Sequence, residues 1–230
     1  MGTTINFQRP DGVTAQGYLA EPNNAGGAPA VVVIQEWWGL NDQIRGVAER
    51  IAAAGYRALV PDLYRGKTTV AAEEANHLMD SLNFADAASQ DVRGAVQYLK
   101  AGSKKVGVTG YCMGGALTVL AATMVPEVDA GVIWYGYPPL EFVDAGKIKA
   151  PLLAHWAEQD GAFDIAGVDA LEEKLRGAGV AYTGHRYLAR HGFANETAQG
   201  PGRIALTQYD AAWAQMAWDR TFSFFGQHLS

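Results

Sequence analysis

Cysteine is nearly missing: Cys112 is the only one in 230 residues. An internal disulfide is therefore excluded, and a lone cysteine is either a small buried hydrophobe or a candidate nucleophile. Positive charge is also scarce. Eighteen Lys and Arg stand against 24 Asp and Glu, a formal net charge of −6, where a nucleic-acid surface wants a basic patch. No apolar run reaches the roughly 20 residues that cross a bilayer. The opening MGTTINFQRPDG has no signal-peptide core, and Asn6 stands where a myristoylation signal wants Ser or Thr. These absences lead us to expect a cytoplasmic protein with no membrane or nucleic-acid partner. His, Cys and acidic residues nowhere adopt metal-ligand spacing. RGKT at 65–68 resembles a phosphate loop, but Pro61 occupies the place of its first glycine. NET at 195–197 is a glycosylation sequon without a secretory signal. No repeat, low-complexity tract or long linker divides the chain, so 1–230 reads as a single domain.

What is present is an alternation of strand-like and helix-like segments. AVVVIQE (30–36) is a continuous β-branched run, as expected of a strand covered on both faces. In NDQIRGVAERIAAAGY, Ile44, Val47, Ala48 and Ile51 recur at helical spacing and Gly55 suits the C-terminal stop. YRALVPD is the next strand, residues 71–100 read as two helices, and KVGVTG, DAGVIWYG, APLLAHW and VAYTGHRYLA follow as strands. AGVDALEEKLRGAG is helical, VTAQGYLAEP reads as an antiparallel edge strand, and 203–229 reads as one long closing helix. The β-α-β-α order predicts an α/β fold with a mostly parallel central sheet and helices on both faces. Function in such sheets gathers at the carboxyl ends of the strands.

At one such end GYCMGG places Cys112 in a G-x-Nuc-x-G corner, between Gly110 and Gly114. Turning from strand to helix in so few residues strains the backbone of the nucleophile and leaves no room for side chains two residues before or after it. The corner sets the sulfur at a helix N-terminus, which favours thiolate, and points the amide of Met113 at a developing oxyanion. Such an elbow expects its acid and then its histidine later in the chain. His191 in LARHGFANE lies between the last strand and the last helix, where that histidine belongs. His155 sits in an apolar strand as a core residue, and His77, His185 and His228 lie in less suitable places. Asp160, just past the LLAHW strand, is the expected acid, with Asp164 the second candidate; Asp62 precedes the nucleophile and reads as structural.

With IQEWWGLN, GYRALVPDLY, GYCMGGAL and HGF, nearly the whole chain resembles the dienelactone hydrolase (carboxymethylenebutenolidase) family of the α/β-hydrolase fold. That resemblance implies a Cys112–His191–Asp160 triad, no cofactor, and hydrolysis of an ester or lactone through a thioester. It also implies a role for Glu36. A carboxylate beside sulfur opposes thiolate formation, so Glu36 is expected to hold the resting thiol until substrate displaces it. By analogy the amide of Trp37 is the second oxyanion donor beside Met113.

One departure bears on the substrate. Family members acting on dienelactone hold its carboxylate with two arginines; here the position after HGF is Asn195, and TTVAAEEANHLMDSL contains no arginine. Arg65 stands nearby, directly after Tyr64. The expectation is a neutral or weakly acidic small ester or lactone bound by Asn195 among Trp37, Tyr64, Tyr135 and Phe163, by a monomer or weak homodimer. The competing readings are a ligand-binding member of the fold that turns nothing over, and a redox sensor, which would lack a resolving cysteine. A papain-like peptidase would order its residues Cys, His, Asn.

Overall fold

The structure, a computed structural model, describes residues 2–201 and 203–230. Eight strands form one sheet in the order β1-β2-β4-β3-β5-β6-β7-β8. The strands are β1 (Thr3–Gln8), β2 (Thr14–Ala20), β3 (Ala30–Ile34), β4 (Arg57–Pro61), β5 (Val106–Tyr111), β6 (Ala130–Trp134), β7 (Leu152–Gln159) and β8 (Tyr182–Arg190). From β4 through β3 to β8 all neighbours are parallel; β1 and β2 add an antiparallel margin. VTAQGYLAEP is thus not the edge. It is the second strand, covered by β1, whose mostly polar residues bury only Phe7 and so carry no strong strand signal.

Helices α1 (Asp42–Ala53) and α7 (Ala211–Leu229) cover one face; α4 (Arg93–Lys100), α5 (Met113–Met124) and α6 (Ile165–Gly177) cover the other. The central strands are therefore apolar on both sides, and Ala30–Ile34 is wholly buried. Each such Val or Ile contributes about 1.5–3 kcal/mol through burial. Helix α1 shows the local logic. Asn41 Oδ1 caps the Ile44 amide at 3.1 Å, Ile44, Val47, Ala48 and Ile51 face the sheet, and Gly55 takes φ 98° to leave the helix.

Two helical boundaries differ from expectation. Residues 71–100 hold α2 (Ala72–Asp80), then α3 (Phe84–Asp86), which runs through a π-helical turn at Ala87–Val92 into α4. Helix α7 begins at Ala211, where Asp210 caps the amides of Ala212 and Trp213. Residues 203–209 are an irregular segment instead. Their end is laid against the loop after β8: Gln208 donates to the His191 carbonyl, Tyr209 to Ala198 and Asp210 to Phe193. Apolar spacing alone could not distinguish that tertiary pairing from another helical turn.

Five parallel strands end at Ile34, Tyr111, Trp134, Gln159 and Arg190. Glu36, Cys112, Tyr135, Asp160 and His191 follow within two residues of those ends. The sheet thus delivers five sequence-distant side chains to one rim.

Candidate active site

Cys112 sits between β5 and α5 with φ 56° and ψ −117°, a left-handed backbone that side-chain-bearing residues rarely adopt. Such strain costs on the order of 1–3 kcal/mol and persists only where its surroundings impose it. Here they do. The Cys112 amide donates to Trp134 O at 2.9 Å, and its carbonyl accepts from Gly115 and Ala116 at 2.8 and 3.2 Å. A Cβ on Gly110 would lie 2.0 Å from Gly114 O, and one on Gly114 would lie 2.4 Å from Ile34 O. The two glycines of the motif are steric requirements of this crossing.

His191 Nδ1 lies 2.8 Å from Asp160 Oδ2. The other oxygen, Oδ1, accepts from the amides of Ala162 and Phe163 at 2.7 and 2.9 Å, so the carboxylate has one orientation. Both side chains are almost wholly buried. Phe163 stacks on the His191 ring and Tyr135 meets it edge-on. Burial works against a charged imidazole, but the neighbouring Cys112 sulfur and the bond to Asp160 prevail and raise the His191 pKa well above its ordinary value. The sulfur acts on the ring first through its charge and then through a side-chain interaction with it.

Glu36 departs from its expected place. It is buried, and its two oxygens accept from Tyr135 Oη at 3.3 Å and Asn195 Nδ2 at 2.5 Å, with no bond to the thiol. Burial raises its pKa, opposed by the charge of His191 and by the bonds from Asn195 and Tyr135. Met113 is the first residue of α5 and has no acceptor four residues back within the helix. Trp37 lies in the turn closed by the Gly39 amide on Glu36 O. Neither backbone N–H has a protein acceptor among the described residues.

Cys112, Glu36 and His191 open into one cavity of about 460 Å³, within the range that encloses small ligands. Trp37, Trp38, Val70, Met79, Phe163 and Leu206 form much of its wall. Trp37 and Phe163 thus line it as expected, but Tyr64 and Tyr135 do not. Tyr64 is buried behind the corner with its hydroxyl 3.2 Å from Met113 Sδ, and Tyr135 lies beneath Glu36 and His191, fully buried. Asn195 touches the cavity, yet its side chain is spent on Glu36 and on Thr197. Asp164 caps α6 through the Gly167 amide, and Arg65 turns away to Asp62 O and Asp91. His155 is a core residue bonded to Tyr187 and Thr221.

One residue in the wall had no sequence signal. Arg203 reaches the cavity from the irregular segment before α7, and its Nη1 donates to the carbonyls of Ile204, Ala205 and Thr207. It forms no ion pair among the described residues. Lying where apolar spacing suggested helix, it could be placed at the site only by the folding of 203–209 onto the His191 loop. No group of three or more His, Cys, Asp or Glu among the described residues is placed to hold a metal, and no helix there is long and apolar enough to cross a membrane.

The sequence model of the dienelactone hydrolase family matches residues 15–229. This chain belongs to the dienelactone hydrolase family. It is accordingly a carboxylic ester hydrolase with the α/β-hydrolase fold. The family member is 34% identical to Protein usf of Aquifex pyrophilus, over the whole of both chains. It is 32% identical, again over the whole of both, to an Aquifex aeolicus protein provisionally named a carboxymethylenebutenolidase. The crystal structure of a provisionally named dienelactone hydrolase from Klebsiella pneumoniae superposes with a TM-score of 0.84 at 26% identity, covering 99% of this chain and 100% of that one.

Proposed function

We propose that this hydrolase cleaves a small ester or lactone through a thioester on Cys112, with His191 as acid and base and Asp160 orienting it. The observation that carries the reading is the meeting, at one cavity, of a strained corner cysteine with a histidine held by a buried carboxylate. Asp160 on Nδ1 leaves Nε2 as the working nitrogen of His191.

The steps follow from that arrangement. The Cys112 sulfur, as thiolate beside the His191 imidazolium, attacks the ester carbonyl carbon. A C–S bond forms and the carbonyl electron pair moves to oxygen, met by the amides of Met113 and Trp37. Collapse breaks the C–O bond, and the departing alkoxide takes the proton of His191 Nε2. Water then gives a proton to Nε2, its oxygen attacks the thioester carbon, and collapse releases the acid and restores the thiolate.

The apolar wall suits a substrate with an aromatic or aliphatic portion. Its charge environment differs from the expectation of no arginine, because Arg203 offers one guanidinium to an anionic group. Neutral esters therefore remain good substrates, and a single carboxylate is tolerated. The test is a rapid-mix assay with a short-chain aryl ester. One equivalent of phenol should be released in a burst, with the acyl mass on the Cys112 peptide, and thiol alkylation should abolish both. Undiminished turnover after Cys112 alkylation would overturn the proposal.

A further inference from the structure

Glu36 and Asn195 are 159 residues apart, both about 95% buried, and joined by the Nδ2–Oε2 hydrogen bond. The direction of that bond is not free. Asn195 Oδ1 accepts from the Thr197 amide at 2.9 Å and from Thr197 Oγ1 at 2.7 Å. With the oxygen held by two donors, the NH₂ end must face Glu36. The Asn195 backbone is held too, its amide donating to Gly192 O at 2.8 Å and its carbonyl accepting from Ala198 at 2.9 Å. The other Glu36 oxygen meets Tyr135, whose own backbone is left-handed at φ 37°. Glu36 is thus gripped on both oxygens by two neutral, rigid donors, although Cys112 and His191 open into the same cavity.

We infer that Asn195, oriented by Thr197, is a positioning residue that holds the Glu36 carboxyl group off Cys112, so the nucleophile stands ready without a substrate-triggered release. The inference rests on Cys112 being the nucleophile. A carboxyl group free to turn would open into the same cavity as the Cys112 sulfur, and as a carboxylate beside that sulfur it would oppose thiolate formation. An asparagine is a neutral donor, so a charged substrate group cannot draw Glu36 away by competing for a counter-ion. The groups near Glu36 that titrate or carry charge are Tyr135, His191, Tyr111, Cys112 and, in the wall of the same cavity, Arg203.

The experiment is alkylation of the ligand-free enzyme by iodoacetamide, an uncharged probe, across pH 5–9, alongside kcat and KM for an aryl ester. Asn195→Ala and the near-isosteric, uncharged Asn195→Leu both remove the donor, and circular dichroism with thermal melting confirms folding. Both should slow alkylation at neutral pH roughly tenfold and move its profile to higher pH by about one unit, the scale of one adjacent like charge. Turnover should fall by a similar factor with KM changed less than about twofold, because the loss lies in nucleophile readiness and not in ground-state binding. Thr197→Val, which removes the hydroxyl and leaves the backbone amide as the one donor orienting Asn195, should fall between wild type and Asn195→Ala. Adding Glu36→Gln to Asn195→Ala should restore alkylation and turnover, since the group released no longer carries charge. Wild-type alkylation in both Asn195 variants, or no rescue in the double variant, would overturn the inference. Should alkylation of Cys112 leave turnover intact, the fault would instead lie with the cysteine mechanism.

Discussion

Replacing Asp160 by asparagine tests the site with one atom changed. The two carboxylate oxygens of Asp160 have different tasks: Oδ1 accepts from the amides of Ala162 and Phe163, and Oδ2 faces His191 Nδ1 at 2.8 Å. In Asp160→Asn the amide oxygen must stay with the two backbone donors, because turning the NH₂ toward them would set donors against donors and leave buried N–H groups unsatisfied. The NH₂ therefore faces His191. Nδ1 must then become the acceptor, which puts the ring proton on Nε2 and removes the carboxylate that supports a charged imidazole. The change is buried, since the carboxylate is about 98% and the imidazole about 95% shielded from solvent, so water cannot substitute for the lost charge. In a serine triad the equivalent change costs about 10⁴ in kcat. A sulfur nucleophile depends less on a base in the attacking step, so a loss of about 10²–10³ is expected, on the order of 3–4 kcal/mol. Steady-state kinetics with an aryl ester, and a melting curve showing an intact fold, measure it. Asp164→Asn is the control: asparagine caps helices well, so activity should stay within about threefold. If Asp160→Asn stays within threefold while Asp164→Asn loses activity, the orienting acid is Asp164 and the reasoning fails.

Three further outcomes can be checked. Cys112→Ser should keep the fold but lose turnover by ~100-fold or more, because a hydroxyl lacks the ready anion of a thiolate; a serine variant as fast as wild type would make the sulfur incidental. Arg203→Ala should lower kcat/KM for a carboxylate-bearing lactone about tenfold relative to a neutral aryl ester, a charge-assisted contact being worth about 1.4 kcal/mol or more; an unchanged ratio would show that the guanidinium meets only its own loop. Glu36 has a raised folded pKa, caused first by burial, so the folded chain holds its proton more tightly than the unfolded chain does. Its contribution to stability is present below the ordinary carboxylate range and is lost as pH rises through the folded value. Melting temperatures of Glu36→Gln and wild type compared from pH 4 to 8 should therefore shift in favour of the variant as pH rises, and a pH-independent difference would contradict the assigned direction.

The strand–corner–helix at 106–120 was legible because its signal is local and steric. Gly110 and Gly114 are demanded by atoms within a few residues of the corner and by the adjoining strand β3, so the motif and the conformation imply one another. The Asp160–His191 pairing was legible from chain order at strand ends, and the structure brings those side chains to 2.8 Å. Sequence points Tyr64 and Tyr135 at the pocket because aromatic residues near a site look alike in sequence whether they face a cavity or support it from behind. Only packing separates the wall residue Phe163 from Tyr135 beneath the histidine.

Composition and periodicity determined the class of fold, since apolar runs of strand length alternating with amphipathic helices have few compact solutions. The family-bearing motifs determined the chemistry to look for. Tertiary structure alone decided which groups meet across long stretches of chain. Glu36 faces Asn195 and not the thiol, and residues 203–209 leave the helix that their spacing suggested, bringing Arg203 to the cavity. The reason is the reach of the forces. Backbone strain and helical spacing act over a few neighbours and leave a pattern in sequence, whereas a buried hydrogen bond between residues 159 apart depends on where the folded sheet ends set both partners.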